Sequence, residues 1–481
     1  MSVFKKIINN YKSISLQARA SMWYTVCNVL QKGISFIIIP VYVRILTTAE
    51  YGQYSVFQSW RDVLIILATL NLHAGIYTKA MVDYPDDRDR YTSSMQGLST
   101  LITVGLLFVY MLFPGFWNQI LQMDTITVVL LFCYFVFFPA FTFWSVRQRV
   151  ENKYIKMVAL TLIVSVLTPI VSVILLFATP LREKAVIWGY LFVQSAAGLV
   201  FYIWQFFKGK VFFNKKYWIK ALKFNVPLIP HYLSLIVLGQ SDRIMIQNYE
   251  GSDKAGIYNL AYQISLLMQV ITNAISGSLV PWSYEQLKNN QHKSLFSVTK
   301  KLCVLVASLS FIVILFAPEA IAIIGTKEYM EAIWIVPAVA ASVYFTFCYG
   351  LFSTVEFYYG KTTFIMVASV IGAALNIILN AIFIPIYGFI AAGYTTLVCY
   401  FVFMIMHYCF MKKICRNRLN GEAIYDNKFI FLSCLLLCAC AMVCMLLYNS
   451  LIVRFGILLV ILLVAVIKRK QIMEILKTIK K

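Results

Sequence analysis

Residues 22–43 read MWYTVCNVLQKGISFIIIPVYV, with Lys32 as the one charge, set near the middle of the run. About 20 mostly apolar residues cross the hydrocarbon layer as a helix, so this stretch is long enough to span a bilayer. Working outward, the same pattern recurs near 55–78, 93–113, 126–146, 156–178 and 185–207. After a basic stretch it resumes near 226–248, 256–281, 300–324, 331–354, 363–385, 388–410, 429–447 and 450–467. The reading is an all-α polytopic membrane protein with fourteen transmembrane helices.

Composition agrees. Of 481 residues 61% are hydrophobic and 13% charged, where a soluble domain runs near half apolar and about a quarter charged. Too little polar surface exists to cover the chain in water, which excludes a soluble enzyme. The formal charge is +22. On an apolar chain such an excess reports orientation, whereas a nucleic-acid partner needs a folded basic soluble domain, and no hydrophilic stretch is long enough for one. With the N-terminus inside, 33 of the 42 Lys and Arg fall on the cytoplasmic side, six outside, and Lys32, Arg61 and Arg243 within spans. Both termini are therefore expected in the cytoplasm. Residues 1–19 are basic and amphipathic with no small-residue cleavage site after the first span, which marks a retained segment.

The loops exclude chemistry. None of the outer ones exceeds roughly a dozen residues, the length beyond which a connection usually carries structure or function of its own. The longest inner connections, near 208–225 and 411–428, are too short for a nucleotide-binding domain. Gly360-Lys361-Thr362 imitates the end of a P-loop, but the required earlier glycine is Val355. No paired catalytic carboxylates or nucleophile–base constellation stands out, so an enzyme is not expected. Most of the eleven cysteines lie inside spans, and Cys434, Cys438 and Cys440 lack histidine partners, so buried small hydrophobes are expected and metal is not. A secondary transporter, a channel or a lipid flippase remains.

Residues 208–225 divide an N-lobe (1–207) from a C-lobe (226–411), with two further helices and a basic tail in 412–481. The halves share a pattern. Arg44-Ile45-Leu46 precedes Gly52-x-Tyr54, and Arg243-Ile244-Met245 precedes Gly256-x-Tyr258. The Arg-to-Gly spacings differ, 8 against 13 residues, so two unrelated loops remain an alternative to an internal repeat.

Four stretches carry a resemblance to a known family. They are Pro40 to Arg44 with Leu46 and Tyr51-Gly52-x-Tyr54; Pro227-Leu228-Ile229-Pro230-His231 with Asp242-Arg243; Gly256-x-Tyr258-Asn259-Leu260-Ala261-Tyr262; and Asn376-x3-Asn380-x3-Ile384-Pro385-x2-Gly388-x2-Ala391-Ala392-x2-Thr395-Thr396. The chain resembles the polysaccharide repeat-unit flippases of the Wzx type, which serve O-antigen or capsule. These belong to the multidrug/oligosaccharidyl-lipid/polysaccharide exporter superfamily. The resemblance implies two six-helix lobes around a central cavity, plus two C-terminal helices, working by alternating access. It implies an undecaprenyl-diphosphate-linked oligosaccharide as substrate, carried to the outer leaflet of the bacterial inner membrane. Membrane lipids, a polysaccharide polymerase and a chain-length regulator are the implied partners. A multidrug/cation antiporter and a peptidoglycan-precursor flippase are the alternatives. No cofactor is expected beyond coupling to a proton or sodium gradient.

A mid-span charge costs about 2.5–3.5 kcal/mol on insertion scales and is kept where it meets protein or water. Lys32 shares a helical face with Asn28, Gln31 and Ser35, and these are the expected cavity-lining residues. Arg61 and Arg243 are the other cationic candidates for binding substrate. Asp62, Asp242 and His73 are the expected intramembrane titratable groups for gating or coupling, joined by His231 on the polar stripe of the seventh span. Asn376 and Asn380 read as interhelical hydrogen-bonding residues. Pro40, Pro169 and Pro337 are candidate hinges.

Overall fold

The computed structural model describes residues 15–419, 421–467 and 469, and no strand occurs among them. Residues 1–14 and most of the basic tail, which carry part of the expected charge asymmetry, lie outside the described residues. The chain divides into two compact units, Met1–Tyr42 with Gln53–Leu233 and Val43–Gly52 with Ser234–Lys481.

The first unit is built from α1 (Leu16–Ile45), α2 (Thr48–Thr69), α3 (Ile76–Asp83), α4 (Arg88–Leu112), α5 (Pro114–Leu121), α6 (Thr125–Val150), α7 (Tyr154–Ala178), α8 (Glu183–Gly209) and α9 (Lys215–Asn225). The second takes in most of α10 (Ile229–Glu250), then α11 (Ser252–Lys288), α12 (His292–Leu315), α13 (Ala317–Ile324) and a 3-10 segment, Lys327–Trp334. It closes with α14 (Val336–Tyr358), α15 (Thr362–Tyr387), α16 (Ile390–Arg418), α17 (Asn427–Leu446) and α18 (Leu451–Ile467). Among the described residues twelve helices are long and apolar enough to cross a membrane. The protein is a multi-pass membrane protein. Of the fourteen expected spans, the two that fall short are α2, diluted by Glu50, Arg61 and Asp62, and α18, which has 17 residues.

Several boundaries differ from the sequence reading, each for a local reason. Helix α2 begins seven residues earlier than expected because Thr47 and Glu50 form a reciprocal cap: the Thr47 amide donates to Glu50 Oε2 at 2.8 Å and the Glu50 amide to Thr47 Oγ1 at 3.2 Å. It ends at Thr69 because Leu70 and Asn71 take positive φ angles of 48° and 50°, which places His73 in a turn and not in a helix. Pro318, in the first turn of α13, stops the ninth span at Leu315. Pro337 likewise sits in the first turn of α14, where its missing N–H costs nothing, so it bends no helix. Pro40 and Pro169 do lie inside helices.

The expected linker, 208–225, contains a folded part of the first unit. Asn214 caps α9 by accepting from the Tyr217 amide at 3.2 Å. One face of α9 then buries Tyr217, Trp218 and Ala221 in a core with Tyr77, Tyr91, Met95 and Phe143. Trp218 Nε1 donates to the Ser94 carbonyl at 2.9 Å. Asn225 Nδ2 donates to the carbonyls of Leu70 and Asn71, both at 2.9 Å, and so pins the turn that carries His73. The two units part further on, between Leu233 and Ser234 within α10.

Helix α14 is the core of the second unit and is buried on almost every side. The segment 43–52 belongs to this unit through a backbone-to-backbone approach. A Cβ on Gly52 would stand 1.7 Å from the Ser252 carbonyl oxygen, and one on Gly256 would stand 2.2 Å from the Thr48 oxygen. The two glycines picked out by the apparent repeat are thus packed on each other. Arg44 Nη2 donates to the Ile323 carbonyl at 2.7 Å and Tyr51 sets its ring edge-on to Tyr329.

Candidate functional site

In the first unit the candidates separate by whether the protein itself satisfies them. Helix α1 turns Cys27 and Tyr24 toward Phe141, Trp144, Met157 and Val158. Gln31 Nε2 donates to Ser165 Oγ at 3.0 Å on α7, so this side chain is used within the unit. Asn28, Lys32 and Ser35 lie on the exposed part of the helix. Ser35 folds its hydroxyl back on the Gln31 carbonyl at 3.0 Å. Lys32 is a mid-span ammonium with no ion pair or hydrogen bond to another described residue.

Arg61 and Asp62 are otherwise disposed. Both Nε and Nη2 of Arg61 donate to Asp62 Oδ1, at 2.9 and 2.6 Å, and the guanidinium lies 4.8 Å from the centre of the Tyr190 ring on α8. Side-chain exposures of 14% and 28% leave the pair largely enclosed. Its net charge is zero, so neither group is a free cation or a free carboxylate. His231 is half-buried and its Nδ1 has no hydrogen-bond partner among the described residues.

In the second unit Asp242 and Arg243 are both buried, yet they serve different neighbours, as adjacent helical positions must. Asp242 accepts from Asn380 Nδ2 at 2.7 Å, Thr396 Oγ1 at 2.8 Å and Tyr258 Oη at 2.5 Å. Asn376 accepts from Ser241 Oγ at 2.6 Å and donates to Thr396 Oγ1 at 3.2 Å. Thr395 donates to Asn380 Oδ1. This network ties α10, α15 and α16 together and holds Asn376 and Asn380 in interhelical bonds. Its carboxylate, amide and hydroxyl oxygens are the donor class that hard cations take.

Arg243 donates through Nε to Asn259 Oδ1 at 2.9 Å and through Nη1 to the Gly239 carbonyl at 2.8 Å. Its guanidinium lies 4.1 Å from the centre of the Tyr262 ring. At 3% exposure it is enclosed by protein. Arg243, an expected substrate contact, is engaged in this structure as an internal brace between α10 and α11. The side chains that repeat the family pattern, Asp242, Arg243, Tyr258, Asn259, Asn376, Asn380, Thr395 and Thr396, converge on this one network.

Sequence reading missed a second buried pair. His407 Nδ1 lies 2.9 Å from Glu356 Oε2, with both side chains at 0% exposure, and both lie on helices long enough to cross a membrane, so titratable candidates exist beyond Asp62, Asp242 and His73. The signal was available: a lone glutamate in an otherwise apolar run and one of four histidines in the chain. Among the described residues no cluster of His, Cys, Asp and Glu is suited to a metal ion, and all eleven cysteines are unpaired.

Comparison with known proteins agrees with this architecture. Residues 18–287 match the family described as polysaccharide biosynthesis protein. Protein 1 of the Lsg locus of Haemophilus influenzae is 24% identical over 384 residues, covering 74% of this chain and 88% of that one. The capsular polysaccharide biosynthesis protein CapF of Staphylococcus aureus is 23% identical over 404 residues, covering 81% and 98%. In fold the chain is similar to the lipid II flippase MurJ in an inward closed conformation, with TM-score 0.68 and 15% identity over 94% of this chain and 99% of that one. An inward-facing multidrug resistance transporter of the MATE family gives TM-score 0.62 at 12% identity, over 85% and 99%. With the multidrug/oligosaccharidyl-lipid/polysaccharide exporter fold and a family match across more than half its length, the chain belongs to the polysaccharide biosynthesis protein family.

Proposed function

We propose that this protein is a secondary flippase that moves undecaprenyl-diphosphate-linked oligosaccharide repeat units from the cytoplasmic to the outer leaflet of the bacterial inner membrane by alternating access. The observation that carries the reading is Lys32, an exposed ammonium at mid-span beside Asn28 with no partner among the described residues. A cation kept at that depth without a protein partner needs water or an anionic ligand. A diphosphate head supplies the matching charge, and sugar hydroxyls suit Asn28. The other two mid-span cations, Arg61 and Arg243, are engaged by protein. The bias toward a free cation favours an anionic lipid over the cationic drugs of an antiporter.

A diphosphate leaving a negative cytoplasm moves with the field. At about 2.3 kcal/mol per charge per 100 mV, two negative charges release roughly 4.6 kcal/mol. Return of the empty, cationic carrier moves positive charge inward and so also runs with the field, and a proton or sodium ion moving inward would add to the drive. The test is Lys32→Ala against Lys32→Arg in a strain that depends on this protein. Lys32→Ala is expected to abolish surface polysaccharide at unchanged protein level, with Lys32→Arg retaining part of it. Normal polysaccharide in the Lys32→Ala strain would remove Lys32 from the path and with it the observation on which the reading stands.

A further inference from the structure

The buried titratable groups that transport chemistry leaves unused gather at one place in the second unit. Glu356 lies in the last turn of α14 and His407 on α16, joined at 2.9 Å. Their two remaining polar atoms, Glu356 Oε1 and His407 Nε2, are buried without a hydrogen-bond partner among the described residues. Rings wall the pair: Tyr349 stacks on the imidazole at 5.4 Å, Phe403 meets it edge-on at 4.5 Å and Phe364 of α15 at 5.9 Å.

The other titratable groups on the surrounding elements do not neutralise it. Tyr349 of α14 presents its ring face. Tyr408 of α16 and Tyr425 of the following loop pack on Phe352. Lys361 gives Glu356 only a backbone bond, its amide donating to the Glu356 carbonyl at 2.9 Å, while its side chain is exposed. Glu285 and Lys288 of α11 are exposed, and His292 of α12 faces Glu422 at 2.8 Å.

A lone buried carboxylate or imidazolium is costly in such surroundings. With one proton between them the two groups carry no net charge, whether written as carboxylate with imidazolium or as carboxylic acid with imidazole. Removing that proton to water leaves one uncompensated negative charge; adding a second leaves one positive charge. Either change favours hydration of the site. Only N–H and O–H bonds form or break.

We propose that Glu356 and His407 form a proton-binding site, in which a single shared proton holds the Glu356 end of α14 against α16 and its loss opens that contact to water. Binding of the proton stands by itself. Its use as the coupling step rests on the flippase reading.

The experiment is hydrogen–deuterium exchange on the full chain in nanodiscs across a pH series, corrected for intrinsic exchange, comparing the protein with its Glu356→Gln variant. In the unaltered protein, opening of segments 350–361 and 400–412 should rise about tenfold per pH unit once the pair loses its proton, the slope for one proton. Glu356→Gln keeps a hydrogen-bonding side chain that does not ionise, and its profile should show no rise with increasing pH. If that variant does not accumulate, Glu356→Gln with His407→Gln is measured in the same way and should be flat. A variant that tracks the unaltered protein, or an unaltered protein whose segments do not open with pH, overturns the site. Failure of the purified protein to translocate lipid-linked oligosaccharide in proteoliposomes would instead refute the flippase reading, with the exchange result still deciding the proton site.

Discussion

At the scale of single residues, burial separates charges that sequence cannot rank. Lys32, Arg61 and Arg243 read alike along the chain, as cations within apolar runs. One ends exposed and unpaired, one neutralised by its neighbour Asp62 and one enclosed with Asn259 and Tyr262. Replacing Arg243 by Ala strands the buried Asn259 Oδ1 that it donates to. Leaving a buried acceptor unsatisfied in this way costs about 1–3 kcal/mol. Arg243→Ala should therefore lower the thermal unfolding midpoint and the amount of protein in the membrane. A normal melting curve joined to lost polysaccharide would restore Arg243 to the transport path. The contrast with Lys32→Ala, which should leave the protein level alone, is what distinguishes a brace from a ligand.

At the scale of elements, the tightest constraint lies where the start of α2 meets the start of α11. Gly52 and Gly256 let two backbones come closer than any side chain permits, with the missing Cβ atoms 1.7 and 2.2 Å from opposing carbonyl oxygens. Backbone cannot rotate away as a side chain can, so Gly256→Ala must push the helices apart. Overpacking of this kind costs about 1–3 kcal/mol. Gly277→Ala, on the same helix with nothing within 4 Å of its Cβ, is the control and should be near neutral. Melting of the two variants in detergent checks the pair, and equal stability would mean the contact is loose in solution. The paired Gly-x-Tyr patterns were visible in sequence; that they touch was not, because a repeat in the chain says nothing about which copies meet.

For the whole molecule, fold class was legible because the hydrocarbon layer imposes one length and one polarity on every span, and runs such as 126–146 and 156–178 fall inside α6 and α7. Helix ends were less legible where a cap or a proline decides them. Thr47-x-x-Glu50 and Pro318 were both readable signals, but Asn225 fixing the turn at Leu70 is a contact across more than 150 residues that no local pattern announces. The Glu356–His407 pair has the same character. Ion-paired carboxylates also give the molecule a common dependence on acid. Burial opposes ionisation of Asp124, but the Lys184 ammonium and the Thr127 amide outweigh it and hold the carboxyl below the usual range. Glu151 is held low against burial by Arg147 and Lys153, and Asp426 by Lys300 and the Phe429 amide. A carboxyl whose folded value is depressed adds stability above its unfolded value and loses it as pH falls through the folded one. The unfolding midpoint should therefore be level near neutrality and drop below about pH 4, the ordinary carboxylate range. The triple variant Asp124→Asn, Glu151→Gln, Asp426→Asn should start lower at neutral pH and fall less steeply on acidification. Parallel acid limbs for the two proteins would show that these three carboxylates do not set the molecule's acid stability.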